Sequence, residues 1–497
     1  MNQICILRGG SATWHLCTDR RTCIVQGITF YRSVERNNLG GSVDSPEFDL
    51  VVAGAGGGLV AALRAAELGA NVLVVDADEH FQRGNNTSMC TAMIPAAGTR
   101  WQEAAGVQDS PHRFLDDIAR KTSATADRRV AGALAESSAA LVTWLADNQG
   151  LELELVTDFR YPGHTADRCH SIPGRHGSRL LRHLVQRAQA HPRIELIAPM
   201  SLRHVHTADG RVTGVEIATP DGNSEHLTTS AVLLATNGFG ADRDLVRLHM
   251  PEIAGAHYHG GRFSRGDALR IGRELGADSG FLDAYQGHAA LSARSQTLVG
   301  WATVVHGGVI IDSTGRRFAP ETTGYSEFAA ILAGRPDAAG WIVIDEHIAE
   351  LCSVFDDFRT VAESGSLVRA ATAAELADSI GVPAAALADE LDAARRAAAG
   401  EEPDRQGRTD TRRPLSAPYI AIAITPALFH TQGGLVVDEH ARVLAGRTPV
   451  PGLYAAGGAA IGISGHGASG YLAGNGLITA LGLAFLAAEH VRSAVTA

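Results

Sequence analysis

Glycines at 54, 56, 57 and 58 followed by an aspartate at 76 are the residues of this chain whose types and spacing most directly imply chemistry. Glycine permits a tight turn and lets backbone N–H groups approach a pyrophosphate, and a carboxylate roughly 20 residues on can accept ribose hydroxyls. That chemistry is dinucleotide binding, with Gly54, Ala55, Gly56, Gly58 and Asp76 as the contacts. The third glycine of G-x-G-x-x-G would fall at Leu59, and Gly58 supplies it one residue early. The elements that must hold these groups are readable on either side. An apolar run from Phe48 predicts a strand, the alanine-rich stretch from about Leu59 to Leu68 a helix aimed at the phosphates, and the run ending at Asp76 a second strand.

Composition limits the alternatives. With 497 residues and 45% hydrophobic content the chain can bury a large core and form two or more domains. A net charge of −11 and the lack of basic runs interleaved with aromatics argue against nucleic acid as a partner. Six cysteines, at 5, 17, 23, 90, 169 and 352, show neither C-x-x-C nor C-x-x-C-H spacing, which fits a reducing, cytoplasmic setting. The apolar run Leu477 to Ala488 is shorter than a membrane span of about 20 residues and reads as a buried helix. Residues 1–45 lack the apolar stretch of a secretory signal and read as a disordered or non-native extension.

Further along, RGNNTSMCT (83–91) offers small polar groups that suit either ligand contact or the capping of the next helix. Helical patterning follows from about 111 to 149, then a hairpin turning at Ala208-Asp209-Gly210 and a buried strand running into a glycine turn at AVLLATNGFGAD. From about 245 to 417 the pattern changes to mixed helices and short strands, as expected of an inserted domain. Glycine-rich strand–turn–helix grammar then returns, and the last helix would begin near 474–477 against the cofactor, where its N-terminus stabilises an anion.

Taken in order, GAGGG with Asp76, NNTS at 85–88, ATNGF at 235–239, RGDAL at 265–269, GRRFAPE at 315–321, HTQGG at 430–434, PGLYAAG at 451–457 and AGNGL at 473–477 make the chain resemble a flavoprotein family. That family comprises the soluble fumarate reductases, succinate dehydrogenase flavoprotein subunits and 3-ketosteroid dehydrogenases, and the similarity runs from about Phe48 to the end. The resemblance implies an α/β fold: a discontinuous Rossmann-like FAD-binding domain (46–244 and 418–497) with an inserted α+β capping domain (245–417). It also implies substrate at their junction and FAD contacts from Gly58, Asp76, Asn86, Thr87, Asp267, His430, Asn475, Gly476 and Leu477. Two departures stand out. Gly458 falls where these enzymes usually carry glutamate, and Asn86 falls where membrane-complex members carry a flavin-linked histidine, so FAD should be non-covalent.

On the substrate side the chain departs further. Where fumarate reductases place the catalytic arginine it has Tyr325, and where they place a carboxylate-binding arginine it has Tyr471. Phe429 replaces a histidine, Gly300, Trp301 and Val304 replace a Thr-Glu pair and its arginine, and His288 remains. An unpaired buried carboxylate costs several kcal/mol, more than tyrosine hydroxyls return at about 1–1.5 kcal/mol per hydrogen bond. The expected substrate is therefore apolar and cyclic, with Phe429, Trp301 and Gly474 as contacts.

These positions predict an oxidoreductase that transfers a hydride between flavin N5 and a C–C or C=C bond next to a carbonyl, most nearly as in 3-ketosteroid dehydrogenases. Tyr325 is expected to move the proton, Tyr471 and His288 to hydrogen-bond the carbonyl or Tyr325, and His430 to support the flavin without donating a proton. Two alternatives stay open. One is a dehydrogenase or reductase of a small unsaturated acid that recruits Arg160 or Arg168; the other is a non-catalytic flavin-binding module. Electrons must pass to a separate carrier, a quinone or oxygen, because no haem or iron–sulfur cysteine set is present. The histidines at 164, 170 and 176 form no metal motif, so no metal is expected.

Overall fold

The computed structural model describes residues 22–25, 28–31, 46–409 and 413–495. Strands Ile194–Ala198, Val72–Val75, Leu50–Ala53, Val232–Leu234 and Thr448–Ala455 lie side by side and parallel, in that spatial order. Their inner members are buried on both faces, which is why VLVV and LVVA read as unbroken apolar runs. Arg442–Ala445 closes one edge antiparallel, and the hairpin Thr22–Val25/Ile28–Tyr31 closes the other. The rest of the expected 1–45 extension lies outside the described residues.

Helix Gly58–Glu67 packs on this sheet and against the C-terminal helix Leu483–Val495. Gly58 makes that packing possible, since a Cβ there would lie 2.6 Å from Val52 Cγ1. The expected hairpin forms as Ser201–Ala208 and Arg211–Ala218, with Asp209 and Gly210 at positive φ. The predicted helical stretch resolves into Pro111–Lys121 and Arg128–Asp147.

A second sheet forms the inserted α+β cap, and it takes in Tyr419–Thr431, which the expected 245–417 bounds leave to the FAD-binding domain. Its centre is the long strand Tyr419–Thr431, flanked by His257–Tyr258, Tyr285–Ser292, Gly340–Asp345 and Leu367–Ala370, with Val309–Ile311 beyond Gly340–Asp345. This strand runs out of the second sheet directly into Gln432-Gly433-Gly434, so it carries Phe429 and His430 to the junction between the two units. Each unit has its own apolar core, built from different segments.

Candidate active site

A single long cleft follows that junction from Asp76 and Asp78 at one end to Trp301, Tyr325 and Phe355 at the other. At the first end the backbone makes the site. Gly54 has φ +112°, and a Cβ on it would lie 2.2 Å from the Ala235 carbonyl oxygen; one on Gly56 would lie 2.9 Å from Thr87 Oγ1. Asp76, at the tip of its strand, accepts from the N–H groups of Ala55 (2.8 Å) and Asp78 (2.9 Å). Burial pushes its carboxyl up to about 6, and those two N–H groups oppose the rise. Beside the glycines, Asn85 Nδ2 and Thr236 Oγ1 line the cleft as buried polar atoms with no protein partner. A glycine cradle, a fixed carboxylate and orphaned polar atoms fit the pyrophosphate and ribose of a dinucleotide.

Of the expected cofactor contacts, Gly54, Gly56, Asp76, Asn86, Thr87, Asp267, His430, Gly476 and Leu477 line the cleft. Ala55, Gly58 and Asn475 do not. Ala55 serves through its N–H to Asp76, and Gly58 serves helix–strand packing. Asn475 is turned into a buried network: its Nδ2 donates to Gln432 Oε1 (2.7 Å) and Ser464, and its Oδ1 accepts from Thr479 Oγ1 (2.8 Å). Gln432 Nε2 in turn lies 2.7 Å from His430 Nδ1, and Gln432 and Thr479 themselves line the cleft, so Asn475 acts on it through one intervening side chain. Burial holds His430 down at about 4, partly offset by the Thr431 carbonyl, and the ring is neutral.

Asn86 lines the cleft with its amide already engaged, donating to the Phe429 carbonyl (2.7 Å) and accepting from Asn237 Nδ2 (2.8 Å) and Gly261 N–H (2.9 Å). It therefore ties three segments together at the cleft. The NNTS segment does not cap the next helix, Arg100–Ala104, whose cap is Thr99. Asp267 opens helix Asp267–Glu274 after Gly266 at φ +81°.

The far end is aromatic. The rings of Tyr325, His288 and Phe429 form a stack, with centroids 4.6 Å apart between Tyr325 and His288 and 5.3 Å between His288 and Phe429. Trp301 stands edge-on 6.1 Å from His288, and Tyr471 5.5 Å from Tyr325. Strand pairing explains part of this, since His288 sits opposite Ala427 on the neighbouring strand. Tyr325 opens helix Tyr325–Ala333, and Gly474, at φ +84°, precedes the helical turn Asn475–Leu477.

Protonation states follow from burial. His288 is held at about 3, by burial first and by His259 second. Ala290 N–H donates to its Nδ1 (3.0 Å), which leaves the ring proton on Nε2 as a donor. Burial drives both phenols upward, so each is a neutral O–H. At Tyr471 the Tyr325 hydroxyl and the Gly476 N–H oppose that rise, whereas the Tyr471 contact adds to it at Tyr325.

Cations are scarce in this wall. Arg262 is the one Arg or Lys among the described lining residues, and it pairs with Asp78 at 2.6 Å. Arg160 pairs with Asp167 (2.7 Å), and Arg168 is buried between Asp109 and Asp117 (2.9 Å each); neither lines the cleft. The histidines of the six-residue series are also occupied separately. His164 meets the Ala473 carbonyl, His170 meets Thr99, and His176 meets Ser178 and Asp357. Lining residues that the sequence did not single out include Tyr161, Arg262, Phe355 and Gln432. Gln432 lies inside the HTQGG motif, while the others arrive from segments with no local signal.

Among the described residues no helix is long and apolar enough to cross a membrane. The NADH:fumarate oxidoreductase of Klebsiella pneumoniae (strain 342) is 27% identical over 86% of this chain, which spans 46% of that relative. The open conformation of a flavocytochrome c3 fumarate reductase superposes with a TM-score of 0.73 at 26% identity, covering 90% of this chain and 79% of the other. A 3-ketosteroid-Δ4-(5α)-dehydrogenase from Rhodococcus jostii RHA1 shares the fold, with a TM-score of 0.69 at 23% identity over 91% of this chain and 98% of the other. Residues 49–477 match the FAD binding domain family, so the chain belongs to that family, and the dinucleotide its glycine cradle is built to take is FAD.

Proposed function

We propose that this FAD-dependent oxidoreductase acts on a C–C or C=C bond adjacent to a carbonyl in an apolar cyclic substrate of the 3-ketosteroid type, with FAD held non-covalently. The observation that carries this reading is the substrate-end wall of Tyr325, His288, Phe429, Trp301 and Tyr471, with the cleft's arginine committed to Asp78 at the other end. A dicarboxylate would sit there unpaired, at a cost of several kcal/mol per ion. Arg160 and Arg168, which a small-acid reading would need, are already paired with aspartates.

Bound FAD supplies the hydride acceptor or donor. The protein's part is to hold the carbonyl and to manage one proton. His288 Nε2–H and the Tyr471 hydroxyl are the donors for the carbonyl oxygen, acidifying the α carbon by stabilising the enolate. Phe429 and Trp301 hold the ring system flat and exclude water, and Gly474 lines the same cleft where its backbone packs against Pro95. Tyr325 transfers the α proton: as a neutral phenol it gives the proton in reduction, and in desaturation it accepts one while passing on its own. Electrons enter or leave through a separate carrier, a quinone or oxygen.

The test is a panel of 3-oxosteroids, cyclic enones and unsaturated acids scored by anaerobic bleaching or reoxidation of the flavin. Response to the ketones is expected; rapid reoxidation of the reduced protein by fumarate overturns the proposal.

A further inference from the structure

A second, small pocket lies behind the two tyrosines, lined by Lys121, Pro162, Gly324, Tyr325, Glu327 and Tyr471 among others, with room for about one water molecule. Its outer end is an ion pair that joins the two units: Lys121 Nζ, from the C-terminus of helix Pro111–Lys121, lies 3.2 Å from Glu327 Oε2 and donates to the Thr323 carbonyl at 3.2 Å. The Lys121 side chain is 14% exposed and that of Glu327 26%, so the carboxylate reaches solvent on one side and the pocket on the other. Gly324, at φ +112°, turns the chain at this corner, and its Cα side faces the ion pair: a Cβ there would make ordinary contact at 3.8 Å with both Glu327 Oε2 and Lys121 Nζ.

We propose that Glu327 is a positioning and relay residue that connects the Tyr325 hydroxyl to solvent through this pocket, with Lys121 fixing its carboxylate. The inference rests on the proton-transfer role given above to Tyr325. With substrate in the cleft, that hydroxyl is buried on the cleft side and needs another exit. A neutral phenol can take a proton from the α carbon only by losing its own. One O–H bond forms on Tyr325 and one breaks, the released proton passes to the pocket water and then to the Glu327 carboxylate, and Glu327 returns it to bulk; reduction runs the same steps backwards. The other carboxylate near this turn, Glu321, has no capacity left, because it is fully buried and accepts from Arg317 Nε (2.8 Å), Arg317 Nη2 (2.6 Å) and Ile310 N–H (3.0 Å). The titratable groups facing Glu327 are Lys121, Tyr325 and Tyr471.

The decisive measurement is made with the cleft filled by a non-reacting phenolic steroid: exchange of the Tyr325 hydroxyl proton with solvent in the FAD-loaded protein, followed by the H/D isotope shift on 13Cζ-labelled tyrosine. Glu327→Gln should slow that exchange about tenfold or more, a modest share of the roughly 10²–10⁴ that a positioned acid or base contributes, and Glu327→Asp should restore most of it. Lys121→Gln should move the pH profile of exchange upward by releasing the carboxylate from its cation. Unchanged exchange in Glu327→Gln, or an unmoved profile in Lys121→Gln, overturns the relay. Tyr325→Phe turnover reports separately on the role of Tyr325: wild-type activity there removes that role, whereas slowed exchange in Glu327→Gln would still establish the conduit.

Discussion

Replacing Tyr325 by phenylalanine separates a packing residue from a proton-transfer residue, because the substitution removes one oxygen and leaves the ring. The ring is what the surroundings hold, stacked 4.6 Å from His288 and edge-on to Tyr471 and Trp301. The folding cost is therefore the lost hydrogen bond to Tyr471, about 1 kcal/mol, or a few degrees of Tm at most in a chain of this size. The catalytic cost is of another order. A positioned proton donor contributes roughly 10²–10⁴ in rate, which at 1.36 kcal/mol per decade is about 3–5 kcal/mol of barrier. The assay is anaerobic stopped-flow reoxidation of the pre-reduced protein by 4-androstene-3,17-dione and by 2-cyclohexenone, at matched flavin content. A rate in the variant within about threefold of wild type would be far below that contribution and would refute the proton-transfer role.

Gly54→Ala should express a protein that does not retain yellow flavin, since a Cβ at φ +112° would also lie 2.2 Å from the Ala235 carbonyl; flavin absorbance after gel filtration checks it. In the apoprotein Asp76 is raised to about 6, above its unfolded value, so its share of stability is present below about pH 4 and lost as pH rises through 6. FAD should reverse that preference, since ribose hydroxyls donate to the ionised form. FAD affinity should then weaken as pH falls from 7 to 5, and Asp76→Asn should flatten the profile in a fluorescence titration. Asn475→Ala should cost about 1–3 kcal/mol in thermal or urea unfolding by stranding Gln432, Ser464 and Thr479, and should weaken FAD indirectly, through the cleft-lining Gln432, Thr479 and His430.

How much of this could be read from the sequence follows from how local each feature is. The turn at Gly54, the helix from Gly58 and the carboxylate at Asp76 lie within one strand–helix–strand unit, where spacing alone fixes the geometry. The motif AGNGL located the loop 473–477 correctly but could not say where the Asn475 side chain points, because its partners Gln432 and Ser464 come from other segments. Arg168 is equally ambiguous in sequence, because the Asp109 and Asp117 that hold it come from a segment about 50 to 60 residues earlier. Tyr161 and Phe355 carry no periodic signal, and they meet the cleft through a loop and through the start of helix Asp356–Glu363. Reading 418 onward as FAD-binding domain misplaces Tyr419–Thr431, because a strand buried along most of its length carries no local sign of which sheet it joins.

The two ends of the cleft differ in how they are built, and that difference explains how a chain can keep a cofactor while changing its substrate. The FAD end relies mainly on backbone N–H groups, glycine clearances and one carboxylate within the first strand–helix–strand unit, with the cap adding Asp267 and the Arg262–Asp78 pair. The substrate end draws Trp301, Tyr325, His288, Phe429 and Tyr471 from separate segments whose positions are set by other interactions. The turn bearing Tyr325 shows how. Glu321 is fixed by Arg317, which also pairs with Asp404 at 2.7 Å, while Arg408 lies 4.0 Å from Glu321 and donates to the Gly308 and Val304 carbonyls. Breaking such a buried network costs about 3–5 kcal/mol, so the turn holds its place whatever side chain follows it. On the reading proposed above, the phenol that follows this fixed turn at position 325 serves a ketone and leaves a diacid without a cationic partner.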